Sequence, residues 1–171
     1  MMNGTAASWQ NRTAVITGGT GFIGAAIARK LVALGATVIV PTRNGRKLAS
    51  SSPNNIRYVA ARLTDTTQLT ALLNGADVLF NLAYDFRRSV AENIALYTAI
   101  ADSCATARIP MLVQASSIAV YDGWPSEDIN ENSPCDGPGH EYKIAKRAIE
   151  RDVIRRVSSG AFDAAILQPT I

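Results

Sequence analysis

The sequence predicts an α/β fold: a doubly wound parallel sheet covered by helices on both faces, giving three layers (α/β/α). Three observations predict it. Short apolar runs alternate with longer amphipathic runs along the chain, as in strand–helix–strand units joined by right-handed crossovers. The first run, Thr13 to Thr17, ends in glycines and passes straight into a helical pattern. Six such apolar runs in all are separated by helical patterns, which argues for a parallel sheet.

The elements follow in order. After the strand at 13–17, Ile23, Ile27, Leu31 and Leu34 recur at helical spacing, and Gly35 stands where a helix-ending glycine belongs. Residues 37–40 form the second strand, ended by Pro41. A turn-rich stretch at 50–55 leads to the third, 56–60. Residues 69–73 are a short helix closed by Asn74-Gly75, 77–81 the fourth strand, 89–107 a long alanine-rich helix and 111–115 the fifth strand. Residues 122–139 hold Pro125, Pro134, Pro138 and three glycines, an irregular loop of a length that is uncommon without a function. A helix at 142–156 and a sixth strand at 162–168 complete the chain. Six strands separated by helices give the expected order 3-2-1-4-5-6, the Rossmann arrangement.

With 171 residues, 47% hydrophobic and 18% charged, the chain fits one globular domain. Residues 1–11 read as a frayed N-terminus and 12–171 as the folded unit. The net charge of +3 is spread in pairs such as Arg87-Arg88 and Arg155-Arg156. Nucleic-acid binding needs a contiguous basic face, so a phosphate-bearing small ligand explains the excess better. Cys104, Cys135 and the single His140 are too few for a disulfide framework or a structural zinc. The N-terminal residues lack the apolar core of a secretory signal, and no stretch approaches the ~20 apolar residues of a membrane span. The expectation is a cytoplasmic protein with reduced thiols, no metal, and no nucleic-acid or membrane partner.

Residues 17–24 read Thr-Gly-Gly-Thr-Gly-Phe-Ile-Gly. A strand-to-helix turn of this kind offers bare backbone N–H groups and the positive end of a helix dipole to a pyrophosphate. Two spacings are open. Gly19, Gly21 and Gly24 spell GxGxxG, whereas Gly18, Gly21 and Gly24 spell a form one residue wider. Gly18 makes the turn, Gly21 lets backbone approach phosphate, and Gly24 lets the helix pack close to the sheet. Thr20, Phe22 and Ile23 complete this cofactor-binding turn.

The end of the second strand sets cofactor choice. A carboxylate there binds the ribose 2′-OH of NAD, and an arginine accommodates the 2′-phosphate of NADP. Here the sequence runs Pro41-Thr42-Arg43-Asn44, followed by Arg46 and Lys47, with no carboxylate. NADP is therefore expected as the preferred cofactor over NAD, with Thr42 and Arg43 at the phosphate. The alternative is Arg43 as a solvated loop residue.

Tyr142 and Lys146 are four residues apart and share a helix face. A tyrosine hydroxyl titrates near 10, and a nearby ammonium lowers that value. The pair is thus a device for a general acid/base near neutral pH, and a serine at the end of the fifth strand supplies a hydroxyl for a substrate oxygen.

With these pieces in order, the chain resembles the extended short-chain dehydrogenase/reductase superfamily, in its NAD-dependent epimerase/dehydratase branch. The segments that carry the resemblance are 17–24, 77–83 (Asp-Val-Leu-Phe-Asn-Leu-Ala), 116–121 (Ser-Ser-Ile-Ala-Val-Tyr), Tyr142 to Lys146 with Glu150, and 166–169 (Ile-Leu-Gln-Pro). They cover essentially the whole chain from Thr13, and the wider glycine spacing is the one such enzymes use. The resemblance implies that Tyr142 is the acid/base, that Lys146 lowers its pKa and binds the nicotinamide ribose, and that Ser117 orients the substrate. It places Leu63, Leu82 and Ala83 along the cofactor, and Asn93 matches an asparagine after the fourth strand loosely. The implied activity is hydride transfer at a hydroxyl or carbonyl carbon, of a nucleotide sugar or another small carbonyl compound.

The sequence also departs from that pattern. Arg62 stands where an acidic residue usually meets the adenine, Gln168 where arginine is usual before Pro169, and Asp122 where glycine is common. Such enzymes continue past the sixth strand into a smaller substrate domain, absent here. The chain then reads as a fragment, a shortened protein or a module completed by another chain. A cofactor-binding module without turnover is the competing reading, and an incompletely covered sheet invites homo-oligomers. Remaining residues have plain expectations: His140 exposed, Trp124 anchoring the long loop or capping the site, Arg147, Arg151 and Arg155 a solvated face, Cys104 a small core residue. Asp85, Arg87 and Arg88 stand within reach of phosphate or substrate.

Overall fold

A computed structural model of the chain describes residues 9–43, 55–123 and 128–170. At its centre lies β1 (Thr13–Thr17), where Ala14, Val15, Ile16 and Thr17 are fully buried. The remaining strands are β2 (Thr37–Thr42), β3 (Ile56–Ala60), β4 (Val78–Asn81), β5 (Met111–Ala115) and β6 (Asp163–Leu167). They form one parallel sheet in the order β3-β2-β1-β4-β5-β6, as the sequence predicts. A strand buried on both faces must be apolar at successive positions, and the alternation of side chains divides those positions between two cores. Val15, Ile39, Leu79 and Leu112 meet α2 (Thr66–Leu73), α3 (Val90–Ala107) and α4 (Glu141–Ser158). Ala14, Ile16, Val38, Val40 and Val78 meet α1 (Phe22–Ala33). The result is the three-layer α/β/α architecture.

Caps decide where the helices begin. Asp65 accepts from the backbone N–H of Gln68 at the start of α2. Ser89 and Glu92 form a reciprocal capping box on α3. The imidazole of His140 accepts from the backbone N–H of Lys143 at the start of α4. His140 is exposed as expected, yet it caps the helix that carries Tyr142 and Lys146.

Several boundaries differ from the sequence reading, each for a physical reason. β2 does not end at Pro41 but runs through it to Thr42. Its register with β1 covers Thr37 to Ile39, whereas its register with β3 continues through Pro41 and Thr42. Proline therefore falls where the strand is paired on one side, the place a sheet tolerates it. On α1 the buried positions are Gly24, Ala28 and Leu31, with Ile27 only partly buried, because the glycine at 24 draws that face onto the sheet. Trp9, assigned to the frayed N-terminus, is docked: its N–H donates to Leu34 and its ring lies 6.4 Å from that of Phe80. Met1 to Ser8, the stretch with Asn44, Arg46 and Lys47, Trp124 and Ile171 lie outside the described residues. Among the described residues no helix is long and apolar enough to cross a membrane.

Candidate active site

The glycine turn follows β1 at the centre of the sheet. Gly18 has a left-handed φ of +70°, a conformation costly for other residues. The carbonyl of Gly18 accepts from the N–H of Gly21 at 3.0 Å. A Cβ on Gly24 would lie 2.4 Å from that same Gly18 oxygen, and a Cβ on Gly18 would lie 2.9 Å from the Leu82 carbonyl. A Cβ on Gly19 would lie 2.8 Å from Val40, so Gly18, Gly19 and Gly24 are all closely packed and both glycine spacings remain open. A Cβ on Gly21 would meet only the Gly18 oxygen, at 3.3 Å, so that face of the turn is open. It is a cradle that a side chain would fill and a phosphate fits. Phe22, at the first turn of α1, is 90% exposed beside it.

Leu82 and Ala83 follow β4 and pack against Gly18. Thr42 ends β2 and Arg43 follows it, exposed, on the same edge of the sheet. Leu63 is half-buried against the α2–α4 core. Arg62 is exposed in the turn before α2.

The second half of the site comes from β5 and α4. Ser117 leaves β5 in extended conformation, and its oxygen accepts from the N–H of Ala119. Its hydroxyl also stands close enough to Tyr142 to lower the titration of that phenol. Lys146 is buried, 4% exposed, and its Nζ donates to the Ala115 carbonyl at 2.9 Å. The same Nζ lies 4.9 Å from the centroid of the Tyr84 ring and 5.5 Å from that of Tyr142, both within cation–π range. Ser117, Tyr142 and Lys146 therefore converge.

The protonation states differ from the expectation in one respect. Burial pushes the Tyr142 phenol above its ordinary value, with the Ser117 hydroxyl opposing it. The ammonium of Lys146 sits over the ring face and bonds to a carbonyl, so it does not depress the phenol in this state. Burial also moves Lys146 down, from 10.5 to about 8, against the pull of Glu150.

Two aromatic residues join the site that the sequence reading did not include. Tyr84 meets the Tyr142 ring edge-on at 5.0 Å, and Phe86 stacks on it at 5.4 Å while 79% exposed. A Tyr-x-Phe pair directly after a strand that ends at the ligand-binding edge was the available signal. Their loop is held by Asn93, which is buried and bonds to both the N–H and the carbonyl of Asp85. The Asp85 carboxylate chelates Arg87, which holds it down to about 2. These charges are engaged with one another.

Behind the site lies a polar network centred on buried Glu150. Tyr121 donates to Gln168, Gln168 donates to Glu150, and Arg147 pairs with both Glu150 and Asp136. This corrects the solvated-face reading of Arg147, whose side chain is 17% exposed, while Arg151 and Arg155 are exposed. Buried Glu150 supplies the partner that draws Arg147 in. Asp122 binds Lys143 and accepts from the Gly137 N–H, fastening the long loop to α4.

The chain matches the model of the NAD dependent epimerase/dehydratase family over residues 14–170. It is 30% identical over 167 residues to the dTDP-6-deoxy-L-talose 4-dehydrogenase (NAD(P)(+)) of Kitasatospora kifunensis, covering 92% of this chain and 51% of that protein. Among solved structures it resembles UDP-N-acetylglucosamine 4-epimerase from Methanobrevibacter ruminantium, with a TM-score of 0.78 and 26% identity over 93% of this chain and 55% of the other. Its fold also matches the epimerase Mth375 of Methanothermobacter thermautotrophicus, with a TM-score of 0.81 at 18% identity over 94% of this chain and 52% of the other. The chain thus spans about half the length of the relatives it matches. With motif, fold and family model in agreement, the chain belongs to the NAD-dependent epimerase/dehydratase family.

Proposed function

We propose that this chain binds a nicotinamide dinucleotide and supplies the acid/base half of a hydride transfer at a hydroxyl or carbonyl carbon. One observation carries the reading. Ser117, Tyr142 and Lys146 converge at the same sheet edge as the open glycine cradle. The cradle holds the pyrophosphate through Gly18, Gly21 and Gly24, with Thr20, Phe22 and Ile23 around it. Leu63, Leu82 and Ala83 line the remainder of the dinucleotide. When bound, the cofactor supplies or accepts the hydride.

The protein's own groups move the proton. The Tyr142 hydroxyl, protonated at neutral pH, donates to a substrate carbonyl oxygen as the carbon is reduced, and recovers the proton in the reverse direction. Ser117 donates a second hydrogen bond to the same substrate oxygen. Lys146 stands near half charge around pH 8 and stabilises the phenolate as it forms.

The cofactor form is NADP rather than NAD, because the end of β2 presents Thr42 and Arg43 and no carboxylate. The nearby relative whose name allows NAD(P)+ supports either form. The substrate class is a nucleotide sugar or a small carbonyl compound, in keeping with the names of the relatives. A second reading has its own observation. The relatives are about twice as long, so residues 12–171 act as a cofactor-binding domain whose turnover depends on groups outside it.

The test combines binding and turnover. NADPH should bind at least tenfold more tightly than NADH, read by quenching of protein fluorescence. Tyr142→Phe should keep that binding and lose turnover by about 10²–10⁴-fold. Tighter NADH binding removes the cofactor assignment, and full turnover by Tyr142→Phe removes the mechanism. Binding without turnover against sugar nucleotides, ketones and aldehydes selects the module reading.

A further inference from the structure

We propose that Gln114 is a positioning residue that couples the glycine turn to Lys146 through a buried ladder of side-chain amides. The proposal rests on the reading of Lys146 as the cation of the acid/base pair. The ladder crosses three adjacent strands. Thr17 pairs in register with Asn81, and Asn81 with Gln114, so the three side chains stand in one row on one face of the sheet. The Thr17 hydroxyl donates to Asn81 Oδ1 at 2.5 Å, and Asn81 Nδ2 donates to Gln114 Oε1 at 2.8 Å. Gln114 Nε2 then donates to the Ala115 carbonyl at 2.8 Å, the same oxygen that accepts from Lys146 Nζ at 2.9 Å. All three side chains are buried.

Every donor in this row points the same way, toward Ala115. A polar row in an otherwise apolar sheet interior is costly unless fully paired, and apolar residues would fill the space without that requirement. The pairing has a consequence at each end. A carbonyl oxygen has two lone pairs. Gln114 occupies one at Ala115, which leaves Lys146 a single direction in which to donate. At the other end Asn81 Oδ1 also accepts from the Ala83 N–H at 3.4 Å. That contact holds Leu82 and Ala83 against Gly18, where a Cβ would lie 2.9 Å from the Leu82 carbonyl. Hydrogen bonds in series polarise one another, so a change at Gln114 is felt at the ammonium and at the dinucleotide edge together.

The experiment uses the whole chain and needs no turnover. The Lys146 side chain is titrated by NMR in lysine-labelled protein, with Lys146→Met assigning its resonance, and the NADPH dissociation constant is measured in parallel. The titratable groups facing Lys146 are Tyr84, Tyr142 and Glu150, and none is altered. In Gln114→Leu the Ala115 oxygen is left to Lys146 alone. The midpoint should rise by about half a unit to one unit, and NADPH binding should weaken about tenfold. A purely structural amide would lower the melting temperature and leave both readouts at their wild-type values, which overturns the proposal. Thr17→Val and Thr17→Ser test the far end if Gln114→Leu does not fold. The valine, isosteric but without a hydroxyl, should move the midpoint, and the serine should restore it. Equal titrations in the two overturn the coupling. Loss of the catalytic reading through an active Tyr142→Phe protein leaves this titration unchanged, so the two failures are separable.

Discussion

The four glycines of the turn look alike in the sequence but do different work, and the difference is measurable. A Cβ at Gly24 lies 2.4 Å from the Gly18 oxygen and 2.7 Å from the Gly19 Cα. Both are backbone atoms and cannot rotate away. Gly24→Ala must therefore lift α1 off the turn, and the expected cost is about 1–3 kcal/mol, read by urea unfolding. At Gly21 a Cβ meets only the Gly18 oxygen, at 3.3 Å, and otherwise points into open space. Gly21→Ala should unfold at nearly the wild-type urea concentration yet bind NADPH at least tenfold more weakly. Equal losses of stability in the two variants would mean that Gly21 is structural as well. The glycines were legible because a backbone constraint is local in sequence. Gln114 and Asn81 were not. Each is a polar residue inside an apolar strand, and their meaning depends on register between strands that lie far apart in the chain.

At the scale of elements, type and order were readable throughout, because the switch between strand-like and helical periodicity is strong in a parallel sheet. Ends were less readable. Pro41 normally ends a strand, and here it does not, since β1 diverges from β2 before it. Arg147 looked solvated, since helical spacing shows which residues share a face but not whether Glu150 waits beneath it. Where a cap is written in the sequence, the boundary can be tested directly. Ser89 accepts from the Glu92 N–H, and Glu92 reaches back to the Ser89 N–H. Ser89→Ala should cost about 1 kcal/mol of global stability in denaturant unfolding. It should also loosen the Tyr84–Phe86 loop, because Asn93, one turn into α3, bonds to the carbonyls of Asp85, Arg88 and Ser89. A Ser89→Ala protein of wild-type stability would show that packing on α3 outweighs its cap.

For the molecule as a whole, the buried ionisable groups at the site and in the core give its stability a pH dependence with a definite sign. Lys146 falls from 10.5 to about 8 on folding through burial. Between those values the unfolded chain holds a proton that the folded chain has released, so stability rises with pH from about 8. Cys104, fully buried in the α3 core, rises from 9.0 to about 12 through burial. Its folded state keeps a proton that the unfolded chain loses, so its contribution falls as pH passes 9. Burial likewise raises Tyr84, Tyr97, Tyr121 and Tyr142, and their contribution falls above pH 10. At about 1.4 kcal/mol per proton and pH unit, stability should increase by about 1 kcal/mol between pH 7 and 9, pass through a maximum near 9, and decline beyond 10. Lys146→Met should remove the rising limb and leave the decline. Urea midpoints measured at half-unit intervals from pH 7 to 10.5 would show both limbs, and a wild-type curve that is flat or falling from 7 to 9 would mean that Lys146 is not buried as a dehydrated ammonium. The same burial that makes Lys146 a costly residue to fold around thus leaves its energetic trace as an alkaline rise in stability.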